Sequence, residues 1–187
     1  MTRRPLALGL LAAALAAPAI SPEVSRSAQK KLYRVLDEQM TPGSSLVLTE
    51  DEINSLQRYD CAAEVPKGID QPHLRLEPDR VLGSATVDFL EWRSQTGASP
   101  GMLLSWLLRG KRPVEAVCRY TSSKGYGRAD VESVKISGVP ISGSAVNFLI
   151  ENLVTPRYPA AVVGRPTPLG FRLEQVRIEK GRAVLVR

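Results

Sequence analysis

Residues 73–92, HLRLEPDRVLGSATVDFLEW, predict a β-hairpin around which the rest of the fold is arranged. Leu74 and Leu76 alternate with charged side chains, which is the period of a half-buried strand. Pro78-Asp79 is typical of a turn. Alternation resumes over 81–92, where the odd-numbered residues as far as position 89 share one face of an expected long strand. Because a tight turn joins the two strands, we expect them to be antiparallel.

Further strands and helices follow the same two periods. Extended segments are expected at 44–48, 113–122, 171–179 and 182–186, together with a strand that runs through Ile136 after a turn at 124–127. Helices are expected at 25–40, 99–110 and 142–153, and a short one after Thr49, whose spacing to Glu52 is typical of a capping box. Alternation slips between Val131 and Val134, which predicts a β-bulge.

These elements predict an α+β fold. Every link between paired strands is short, so the sheet is expected to be antiparallel. The helices are expected to pack on one face of a curved sheet. A chain of 187 residues is long enough to bury a sizeable core within one ordinary domain.

The N-terminus is typical of a secretory signal peptide. Arg3 and Arg4 precede an apolar run over 6–17, and small residues at 17–19 match a signal-peptidase site. We expect residues 1–19 to be removed and residues 20–187 to form a single domain, exported to the periplasm or secreted. An uncleaved anchor helix is the alternative, although the apolar run is shorter than the roughly 20 residues that span a bilayer.

The charge pattern narrows the class of partner. The chain has a formal net charge of +6, but its basic residues are scattered rather than clustered with aromatic ones. This pattern, with the expected export, argues against nucleic-acid binding. A peripheral contact with an anionic membrane surface stays open.

Cys61 and Cys118 are the only two cysteines. An exported chain enters an oxidising compartment, so we expect a disulfide between them. Two separate buried thiols, each acting as a small apolar side chain, are the alternative.

No residue pattern predicts catalysis or a metal site. His73 is the only histidine and has no close cysteine pair, which argues against zinc. Ser27 and Lys30 match the S-x-x-K pattern of penicillin-binding enzymes, but the companion S-D-N and K-T-G elements are missing. The carboxylates at 50–52 belong to a first helical turn, where the helix dipole favours negative charge. We therefore expect a protein that is not an enzyme and that needs no cofactor.

The segment 99–110, SPGMLLSWLLRG, predicts a helix that is apolar all round. Such a helix must be buried on several sides or contact something apolar. In one interpretation, other helices cover it within the core. In the other, it lines an apolar cavity or enters a membrane interface, where Arg109, Lys111 and Arg112 contact lipid headgroups.

Three segments resemble one family. They are TEDEINSL at 49–56, GVPI at 138–141 before a helix, and PLGFRL at 168–173 leading into the closing strands. Together they are similar to the exported LmeA-like phospholipid-binding proteins, whose domain resembles half of a tubular lipid-binding (TULIP-type) module. The resemblance implies a long curved antiparallel sheet wrapped around or packed on helices, an apolar groove for acyl chains, and no catalytic residues.

The expected groove agrees with the apolar residues on both faces of 81–92. The candidate groove residues are Val87, Phe89, Met102, Leu103, Trp106, Leu107, Phe148 and Leu149. The sequence thus predicts an exported, non-enzymatic protein that binds a lipid or another apolar ligand. The alternative is a cell-envelope assembly or scaffold protein that docks an unidentified protein partner through its apolar helix at 100–109.

Overall fold

Two antiparallel sheets and three helices form the part of the chain that the structure, a computed structural model, describes: residues 20–91, 109–151, 155 and 163–187. In chain order the elements are α1 Pro22–Leu36, β1 Ser45–Thr49, α2 Glu50–Tyr59, a 3-10 turn Ala62–Glu64, β2 Ile69–Glu77, β3 Arg80–Asp88, β4 Lys111–Ser123, β5 Tyr126–Ile136, β6 Val139–Ile141, α3 Ser144–Leu149, β7 Thr167–Pro168, β8 Gln175–Glu179 and β9 Arg182–Val186. The expected signal peptide, 1–19, and most of the expected helix at 99–110 lie outside the described residues.

The predicted α+β class and antiparallel pairing are confirmed. The large sheet has the order β2-β3-β4-β5-β6, with β7 pairing on β5, and all of its neighbours are antiparallel. The small sheet has the order β1-β9-β8, so an early strand pairs with the last one. The main chains of the two sheets meet where the β2–β3 turn reaches β8, through the bond from Asp79 N to Ile178 O at 3.0 Å.

The two long helices pack closely because small side chains lie between them. Ser25, Ala28 and Ser55 are almost completely buried there. A partly buried ion pair joins the same helices, with Lys31 Nζ lying 2.7 Å from the carboxylate of Glu52. Glu52 also accepts a hydrogen bond from the Thr49 main-chain N at 2.9 Å, which completes the predicted capping box at the start of α2.

Helix α2 covers the outer edge of β2. The Oδ1 of Asn54 accepts a hydrogen bond from Leu74 N at 2.8 Å, and its Nδ2 donates to Leu74 O at 2.8 Å. The Oε2 of Glu50 accepts from Leu76 N at 2.7 Å. Glu50 and Asn54 are four residues apart on the helix, a rise of about 6 Å, and Leu74 and Leu76 are two residues apart on the strand, a rise of about 6.6 Å. The spacing of the two helix side chains therefore matches the spacing of the strand groups that they bind. They take the place of a neighbouring strand and prevent edge-to-edge pairing there.

Strand β3 ends earlier than the alternation predicts. It stops at Asp88 rather than continuing through position 92, and a helical turn starts at Phe89. The cause is local, because the Oδ1 of Asp88 accepts hydrogen bonds from Leu90 N at 3.0 Å and Glu91 N at 3.2 Å, as an N-cap does. The expectation of a strand with two apolar faces is therefore wrong, since Leu82 is the one large apolar residue on its second face.

Strand β8 also begins later than expected, at Gln175 rather than at Phe171. Phe171 and Arg172 have φ values of 49° and 54°, in the left-handed region that a strand does not use. They therefore belong to the loop between β7 and β8.

The predicted bulge in β5 is confirmed. Val117 pairs with Ser133 and Cys118 with Val131, so Glu132 is the extra residue. Its carboxylate receives Nε of Arg80 at 2.7 Å and Nε of Arg119 at 2.6 Å. These two hydrogen bonds hold the pKa of Glu132 below its ordinary value.

The expected disulfide is not formed, since Cys61 and Cys118 are both free thiols. Cys61 follows α2, which lies outside the β2 edge of the large sheet, whereas Cys118 is in β4, two strands further in. Two strand spacings amount to about 10 Å, which is beyond the roughly 7 Å between Cα atoms that a disulfide tolerates. The alternative of two separate thiols fits, although Cys61 is exposed rather than buried.

Candidate functional site

One side of the large sheet, called the inner face below, is apolar on each of its five main strands. Val81, Gly83 and Ala85 of β3 lie directly opposite Cys118, Ala116 and Val114 of β4, and opposite residues share a face. The register gives the inner face these apolar members: Ile69, Leu74, Leu76, Val81, Gly83, Ala85, Val87, Val114, Ala116, Cys118, Tyr120, Gly127, Ala129, Val131, Val134, Ile136, Val139 and Ile141. The opposite face, called the outer face, carries mainly charged and hydroxyl side chains, with Leu82 and Val117 as an apolar pair.

Two apolar clusters occupy the ends of the inner face. At one end, Leu76 is buried with residues of α1, β1, β8 and β9 in the main core. At the other end, Val87, Phe89 and Ile136 form a smaller second cluster. The two clusters share none of the described residues.

Between the clusters the inner face has small side chains. Gly83 pairs with Ala116 across β3 and β4, and both are only half-buried. A Cβ placed on Gly83 would have one neighbour within 4 Å among the described residues, the Cδ2 of Leu74 at 3.7 Å. Among the described residues, Gly83 and Ala116 thus leave the middle of β3 and β4 with smaller side chains than the two ends of the inner face, and this pair is called the depression below.

The structure brings together three of the predicted groove residues. Val87 and Phe89 are 4% and 5% exposed and form the second cluster with Ile136. Leu149 of α3 packs against that cluster, and Phe148 is half-buried on the same short helix. The other four predicted groove residues, Met102, Leu103, Trp106 and Leu107, lie outside the described residues.

The predicted headgroup residues have different surroundings. Lys111 lies 2.8 Å from Asp70 through its Nζ, and the hydrogen bond and the opposite charge raise the pKa of Lys111. Arg112 lies opposite Val87, which places it on the inner face, and its Nε donates to the main-chain oxygen of Arg109 at 3.1 Å. Within the described strands, Arg112 is the one charged residue that the register assigns to the inner face.

Five residues of the second cluster were not predicted as site residues. They pack there together with the predicted ones and are Ile69, Ala85, Val114, Ile136 and Ile141. Their alternation along the chain marks them as inward-facing, but only the register between strands assigns them to the same end of the sheet.

Across the described ranges, no three His, Cys, Asp or Glu side chains form a group that could hold a metal ion. Nor is any described helix long and apolar enough to cross a membrane. No known protein family matches the chain, and no curated protein matches it.

Proposed function

We propose that this chain is an exported, non-enzymatic protein that binds a lipid or similar apolar molecule along the inner face of its large sheet. The observation that carries the proposal is the apolar depression at Gly83 and Ala116, which lies between two buried clusters. A sheet face that serves only as core is close-packed, with few voids larger than a water molecule. Small, half-buried residues at that position are suited to an occupant that is not part of the sheet.

Burial of the alkyl chain supplies the favourable free energy of binding. Each buried CH₂ group contributes about 0.8 kcal/mol, so roughly ten of them contribute about 8 kcal/mol. The translational and rotational freedom lost on association is subtracted from this sum. No covalent or metal-assisted step is needed.

Arg112 places a positive charge at one end of the inner face. It lies beside the second cluster, opposite Val87, and carries the positive charge of that end. An amphiphile whose alkyl chain follows the depression would place an anionic headgroup near this guanidinium. Lys111 is a weaker candidate for that contact because its ammonium group is already bound to Asp70. The function agrees with the one implied by the resemblance to LmeA-like proteins.

Native mass spectrometry of the purified protein tests the proposal. We expect co-purifying lipid on the native chain, and at least about tenfold less on the Ala116→Phe variant, because a ring would occupy the depression. Ser84→Phe is the matched control, since Ser84 is exposed on the outer face of the adjacent strand, opposite Glu115. Equal lipid occupancy in both variants, or no lipid on the native chain, would contradict the proposal. A lipid-free chain that retains a protein partner would favour the scaffold alternative.

A further inference from the structure

We draw no further inference here: the strongest candidate, the exposed apolar surface patch of Tyr126 at the β4–β5 turn and Phe171 in the neighbouring loop between β7 and β8, carries none, because nothing among the described residues shows what covers it.

Discussion

Asn54 connects the first turns of helix α2 to the edge of strand β2. It is 3% exposed and makes three hydrogen bonds, to Glu50 O and to both main-chain groups of Leu74. Removing its amide would leave the N–H and C=O of a buried strand edge without partners. Asn54 is therefore a structural residue of the α2–β2 contact.

We predict that Asn54→Ala lowers the free energy of unfolding by about 2 kcal/mol, the cost of leaving buried main-chain groups unsatisfied. Urea unfolding followed by circular dichroism measures it. Asn147→Ala, the same change at an exposed position of α3, should cost less than about 0.5 kcal/mol. Similar losses in the two variants would mean that α2 is not held to β2 by this side chain.

The two thiols should react at different rates. Cys61 is exposed, whereas burial raises the pKa of the half-buried Cys118. Because the thiolate is the reactive form, we predict that a thiol reagent at neutral pH modifies one cysteine of the native protein rapidly and the second only slowly or after denaturation. Mass spectrometry of the labelled protein locates the modified residue. Absence of any free thiol in the denatured, unreduced protein would mean that the disulfide exists.

Local contacts were predictable from the sequence, and distant ones were not. The Thr49–Glu52 capping box depends on two residues three positions apart, so spacing alone identifies it. The bond between Asn54 and Leu74 spans 20 residues, and no local pattern specifies it. The same limit applies to the bond between Leu76 N and the Glu50 carboxylate, which spans 26 residues.

The strands illustrate how far alternation alone can predict an element. It correctly indicated a bulge in β5, because Val131 and Val134 both face inward across two intervening residues. It failed at the end of β3, because Asp88 continues the alternation and is also an N-cap residue. When a polar residue suits both a strand and an N-cap position, alternation alone does not locate the end of the strand.

A pair of single-residue deletions tests the register of β5. We predict that deleting Glu132 leaves the protein folded, because Val131 and Ser133 then alternate regularly and Val134 keeps its inward direction. Deleting Lys135 should prevent folding, since Ile136, which is 0% exposed, would be moved to the outer face. Circular dichroism and proton spectra distinguish the two outcomes, and equal tolerance of both deletions would refute the assigned register.

At the scale of the molecule, the small sheet stabilises one end of the large one. Ser122 in β4 accepts from Val176 N at 2.8 Å and donates to Val176 O at 2.6 Å, which joins the two sheets through β8. The main core lies at this joined end, whereas the second cluster lies at the opposite end of the large sheet. The antiparallel α+β class followed from short links between strands, but the division into two sheets did not. It depends on the pairing of β1 with β9, which lie at opposite ends of the chain.

The most direct test of lipid binding at the inner face is a set of nuclear Overhauser effects between a bound alkyl chain and protein methyl groups. Val114 and Val131 belong to the inner face, and Leu82 and Val117 form the apolar pair on the outer face. With the co-purified or added lipid bound, we predict contacts from alkyl protons to the methyl groups of Val114 and Val131 and none to those of Leu82 and Val117. Contacts confined to the outer pair, or no contacts with either pair when lipid is bound, would contradict the proposed function.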